Sequence, residues 1–177
     1  MTLNAGVWVL AALFSLLAGW TDWRSRRIPN WLTVPGLLAG IAFNAGISGW
    51  SGVKTSLLGA GLGLGLLLPF VVIRSLGAGD WKLMGALGAV LGPQRLIVVL
   101  LGTIFANGIM AVILVIWKGR VRHTLRNLAS LAGSLLTFHK PSPDLSLDNP
   151  EAIKIPFGVA VAITVIAFAV SIAWRPL

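Results

Sequence analysis

The sequence predicts an all-α, polytopic membrane protein with about six transmembrane helices and both termini outside. Three observations carry this. Hydrophobic residues make up 56% of the 177 residues, and with the 21 glycines the apolar share is about two thirds, against roughly 45–50% in globular chains. Charged residues are 11%, against about 25%, and the mean hydropathy is +0.89. The apolar residues also fall into long uncharged runs separated by short polar ones. A soluble domain of this length cannot bury so much apolar surface, and the same numbers exclude disorder. Without cysteine there is no disulfide framework, thiolate zinc site or cysteine nucleophile. The net charge of +9 would suggest nucleic acid on a soluble protein. Here it fits Lys and Arg collecting in cytoplasmic loops, so no nucleic-acid partner is expected.

The first run, Leu3 to Trp20, lacks the basic start and small-residue cleavage site of a secretory signal and is read as a retained span. The short basic linker Asp22–Asn30 follows, in which Pro29 disfavours helix at Ile28 and Asn30 can cap the next helix. The second span runs from Trp31 to Ile47, and Gly46–Lys54 is a turn region. The third, Thr55 to Ile73, carries Gly59, Gly61, Gly63 and Gly65, which suit close helix packing in lipid. Arg74–Lys82 is a polar loop. Leu83–Gly92 has too few residues for a bilayer of about 30 Å, so it either extends backward through Trp81 or is a short helix buried among others. Leu96–Trp117 and Ile155–Trp174 are the last two spans. Six crossings place eleven of the fourteen Lys and Arg on one side, which assigns those loops to the cytoplasm. The chain reads as one integral membrane domain over 1–177, with a long cytoplasmic loop at 118–154 and an interfacial amphipathic helix over Val121–Phe138. Trp20, Trp31, Trp50, Trp117 and Trp174 fall near span ends as an aromatic belt. His123 and His139 lack partners at metal-ligand spacing, and no metal or cofactor is expected.

Of five acidic residues, Asp144, Asp148 and Glu151 share the long loop. Asp22 and Asp80 stand instead at the cytoplasmic edge of spans, where a carboxylate is costly and suggests function. Asp80 alone could be an N-cap for a helix beginning at Trp81. Asp22 could pair with Arg26 at i, i+4, yet a negative charge at a helix C-terminus meets the negative pole of the dipole. Two carboxylates brought together can share one proton, one activating water and the other protonating the scissile carbonyl or leaving amine. Gly77 and Gly79 would free the backbone around Asp80 for a substrate strand.

At these residues the sequence resembles the type IV prepilin peptidases, membrane aspartyl peptidases of the Gly-x-Gly-Asp type. The likeness rests on Asp22 with Arg27-Ile28-Pro29-Asn30, on Gly77-Ala78-Gly79-Asp80-Trp81-Lys82-Leu83, and on Lys154-Ile155-Pro156-Phe157-Gly158, in family order with spans between. It implies that Asp22 and Asp80 are the catalytic pair and that Gly77 and Gly79 flank the second acid. Lys82 would tune the dyad or hold substrate, its alternative being snorkelling to head groups. Arg27, Pro29 and Asn30 would shape the loop after the first acid. Pro156 and Gly158 would open the last helix near the site, or simply start a helix. The implied substrate is a prepilin or pseudopilin precursor, cut at the cytoplasmic face of the inner membrane. Membrane lipid and pilus assembly machinery are the further partners. The linker between Trp20 and Trp31 is short and cysteine-free, which resembles the tight-adherence (Flp) subgroup and gives no support for methyl transfer. A proton- or ion-coupled transporter is the alternative; it needs polar residues deep in the spans, and Thr103, Asn107 and Thr164 are the main candidates. A structural subunit of a secretion system would need neither aspartate.

Overall fold

The computed structural model describes residues 2–72, 76–119 and 156–174. Their secondary structure is helical throughout: α1 (Thr2–Ser25), α2 (Asn30–Val72), α3 (Ala78–Trp117) and α4 (Phe157–Ala173). α1 from Ala5, α2 and α3 are each apolar and long enough to cross a bilayer, and Phe157–Ile172 is a shorter apolar helix. Large apolar side chains such as Val72, Leu101 and Phe105 stand exposed along these helices, an exterior suited to lipid. The chain is therefore an all-α membrane protein. The expected interfacial helix Val121–Phe138, both histidines, Asp144, Asp148 and Glu151 lie outside the described residues.

The chain divides into two compact units, 1–106 with 156–177, and 107–155. The described part of the second is the end of α3 and a turn in which Gly119 takes φ +65° and donates to the Ile116 carbonyl at 3.0 Å.

Within the first unit, α2 and α3 are each broken by one glycine. α2 has 43 residues, about 65 Å if straight and twice the apolar thickness of a bilayer. Gly49 interrupts it with φ 56° and ψ −136°, a conformation open to glycine and strained for other residues. The chain folds back there. Asn44 Nδ2 donates to Ser56 Oγ at 2.9 Å, Ser56 Oγ to the Gly40 carbonyl at 3.4 Å, and a side chain on Gly52 would collide with the Asn44 carbonyl. The turn region expected over Gly46–Lys54 is thus condensed into a single reversal. α3 repeats the device at Gly92, φ 76°. A Cβ on Gly63 would meet both the Met84 carbonyl oxygen (2.6 Å) and Leu96 Cδ2 (3.1 Å); in a straight helix those residues stand about 18 Å apart. Among the described residues the result is six helical segments.

The segment before Gly92 is the short one, and Leu83–Gly92 are buried without exception. It extends back to Ala78 and lies among its neighbours. Gly59 and Gly88 bring its backbone against α2, because a Cβ on either would strike the other's carbonyl. Of the four glycines expected to pack, Gly59 and Gly63 do, whereas Gly61 and Gly65 have nothing within 4 Å. Trp81 Nε1 donates to the Leu64 carbonyl at 2.7 Å and fastens the start of α3 to α2. Asn44 is an interhelical amide, for it also donates to the carbonyls of Ala89 (3.0 Å) and Val90 (3.1 Å). α1 and α4 pack antiparallel, with Gly19 against Gly158 and Ala162 and the rings of Trp8 and Phe168 6.2 Å apart.

Candidate active site

The site forms where the end of α1 meets the starts of α2, α3 and α4. Asp22 lies in the last turn of α1 and is 6% exposed. A buried carboxylate needs hydrogen-bond donors, and α4 supplies one: the Gly158 N–H donates to Asp22 Oδ2 at 2.7 Å. Gly158 is in the first turn of α4, where N–H groups have no partner within the helix and the dipole favours negative charge. A Cβ there would lie 3.0 Å from Asp22 Cβ, 3.1 Å from its Oδ2 and 3.2 Å from the Ala18 carbonyl. Pro156 is buried at the N-cap of α4, φ −72° and ψ 100°. It directs the chain into the helix without a side-chain cap.

Asp80 is placed locally. α3 begins at Ala78 instead of Trp81, so Asp80 is inside the first turn and not the N-cap. Its carboxylate reaches back to accept the Gly77 N–H, the reciprocal half of a capping box, and Trp81 N–H closes the turn on the Gly77 carbonyl at 3.1 Å. Asp22 and Asp80 are within electrostatic reach of one another. The positive charge of the exposed Arg26 acts on Asp22 in the opposite sense.

The linker after Asp22 packs onto the Asp80 turn. The space a side chain would need at Gly79 is taken by Ile28, whose N, Cβ and O atoms lie 3.2–3.3 Å from the position of a Cβ. Gly79 therefore makes room for the linker, where the sequence suggested room for a substrate. Ile28 is 7% exposed; the sequence offered it only as one letter of a motif. Pro29 is half-buried, and its carbonyl accepts from the Leu32 and Thr33 N–H groups at 3.1 and 3.3 Å. Asn30 opens α2 but does not cap it. Its Oδ1 accepts from Lys82 Nζ at 2.9 Å, tying α2 to α3 two residues beyond Asp80. Arg27 stays exposed at the edge, its carbonyl accepting from Ser25 Oγ at 3.2 Å. Among the described residues no three His, Cys, Asp or Glu gather as a metal site.

The sequence profile of the type IV leader peptidase family matches residues 9–112. That range contains Asp22, Asp80 and the linker and glycine motifs; Pro156 and Gly158 lie beyond it. Two curated relatives, both prepilin leader peptidase/N-methyltransferase of Aeromonas salmonicida and one of them from strain A449, are each 35% identical over 115 residues. The match covers 58% of this chain and 38% of each relative's length. No solved structure matches the chain.

Proposed function

Because the chain belongs to the type IV leader peptidase family, we propose that it is a membrane aspartyl endopeptidase. It removes the short basic leader of prepilin-type precursors at the cytoplasmic face of the inner membrane. What supports this reading is the family match over residues 9–112, which contain both aspartates, together with the burial of Asp22 against its backbone donor Gly158 and the electrostatic effect of Asp22 on Asp80.

Such a pair has chemistry for peptide hydrolysis. With one proton between them, the ionised carboxylate takes a proton from water as its oxygen attacks the scissile carbonyl carbon. The protonated carboxylate gives its proton to the carbonyl oxygen, forming a tetrahedral diol. The first carboxylate then passes the captured proton to the amide nitrogen, the carbon–nitrogen bond breaks, and a diol hydroxyl proton returns to the second. Leader acid and new N-terminal amine leave, and the pair is restored. Gly158 and Gly77 hold the two carboxylates, and Lys82 with Asn30 keeps α3 and α2 in register beneath them.

The six helical segments suit six crossings, with the Lys- and Arg-rich loops, and hence both aspartates, at the cytoplasmic side. An apolar groove of about 340 Å³ lies between α1 and the first half of α2, lined by Leu13, Leu17, Trp31, Pro35 and Ala39 among others. Its Leu17–Trp31 end is close along the chain to Asp22 and Asn30, and it suits the apolar helix that follows a prepilin leader. Methyl transfer is not part of the proposal; the short cysteine-free linker after α1 fits a peptidase of the tight-adherence type. Co-expression of a prepilin with Asp22→Ala or Asp80→Ala tests the reading. Loss of leader removal in both is expected, and undiminished processing by either would overturn it.

A further inference from the structure

The linker after α1 joins the two aspartates by a short path. The Arg26 N–H donates to the Asp22 carbonyl at 2.8 Å and closes the last turn of α1. Arg26 then takes φ 52°, which ends the helix and turns the chain aside. Two residues on, Ile28 meets Gly79, the residue before Asp80. Its Cβ and O atoms lie 3.2 Å, and its N atom 3.3 Å, from where a Cβ on Gly79 would stand. From Asp22 to Asp80 the path is thus one backbone hydrogen bond, three linker residues and one van der Waals contact.

Ile28 is suited to keep that path at one length. Pro29 holds the residue before it out of the helical region, and a β-branched side chain has little freedom at χ1. Residues 27–29 are non-helical accordingly. Pro29 is itself fastened, its carbonyl accepting from the Leu32 and Thr33 N–H groups. Ile28 also belongs to the apolar core, but filling space asks only for volume, which leucine supplies as well. The contact with Gly79 is made by backbone atoms and by Cβ, where isoleucine is branched and leucine is not. We propose that Ile28 is a positioning residue for peptide hydrolysis: seated on Gly79, it sets the separation of the Asp22 and Asp80 carboxylates. This rests on the peptidase reading above.

Two measurements on the full chain in lipid nanodiscs test it. In the first, Gly79→Ala, Ile28→Leu and Ile28→Val are assayed on a purified prepilin. Gly79→Ala inserts a Cβ to which the linker must yield by a few tenths of an ångström. In Gly79→Ala and Ile28→Leu, kcat falls on the order of tenfold while KM stays within about threefold. Ile28→Val keeps the branch at Cβ and stays within about threefold of wild-type kcat. Wild-type turnover by Gly79→Ala, or Ile28→Leu matching or exceeding Ile28→Val, overturns the proposal. The second uses the absence of native cysteine. In the double variant Ile28→Cys, Gly79→Cys the two Cβ positions are 3.2 Å apart, near the roughly 3.5–4.5 Å of a disulfide. Mild oxidation should join them, read by mass spectrometry, and the oxidised chain should cut at least as fast as the reduced one. Thiols that stay free overturn the contact. Cutting that stops on oxidation and returns with reductant overturns the positioning role, because the linker then has to lift for substrate. If the wild-type protein releases no leader, the peptidase reading falls, and the cross-link still decides whether Ile28 is seated on Gly79.

Discussion

The two aspartates reach the same place by opposite routes. Asp80 is held by the turn that contains it: Gly77 lies three residues before it and supplies its N–H. Asp22 is held by Gly158, 136 residues away. The first arrangement is built by one helix start. The second exists only where α4 lies along α1. A carboxylate fixed locally survives small shifts of the bundle, whereas one fixed across a seam moves with the seam. The Asp22 half of the site should therefore be the more sensitive to packing.

Removal of either acid is the strongest test of the pair. Asp22→Ala and Asp80→Ala should each lower leader removal by about 10²- to 10⁴-fold, measured by the mobility shift of a co-expressed prepilin; a large difference between them would break the symmetry of the roles. Next comes the contrast itself. At Gly158 a Cβ crowds both Asp22 and the Ala18 backbone, which yields only if α4 moves. At Gly77 it meets only the movable end of the Asp80 side chain, at 3.1 Å. Gly158→Ala should cost on the order of ten- to a hundredfold in kcat, and Gly77→Ala about threefold or less. Equal losses would erase the distinction between local and distant support. A smaller effect is expected from the clasp between α2 and α3. Asn30→Ala and Lys82→Ala should each cost a few-fold, in keeping with about 1 kcal/mol for one exposed hydrogen bond, and the double variant should be no worse than either single one. The least effect falls on the scaffold. Gly61→Ala, facing open space, should change stability by about 0.5 kcal/mol or less. Gly59→Ala, which strikes the Gly88 carbonyl, should lower the thermal midpoint clearly.

The same contrast explains what could be read from the sequence. Helical spans are written in continuous apolar runs, and the Gly77–Lys82 motif is local, so both were legible. The breaks at Gly49 and Gly92 were legible too, the first inside the expected Gly46–Lys54 turn region and the second at the expected end of the short segment, although each is made by a single glycine conformation. Asn30 reads as a cap from its neighbours alone, yet Lys82 claims its side chain from another helix. Gly79 reads as room for substrate because nothing local fills it, and Ile28 fills it from the linker. Asn44 was not singled out, because nothing near it in the chain shows that it meets carbonyls of α3. What was missed in each case is a contact between residues far apart along the chain.

The bond from Gly158 to Asp22 also sets a timetable for biosynthesis. A ribosome will have delivered α1 to α3, including both acids, well before α4 is made. Until that helix docks, the first acid lacks its backbone donor. On the peptidase reading, the pair is complete only once α4 has docked, and a chain assembled in this order is harmless to its surroundings until then.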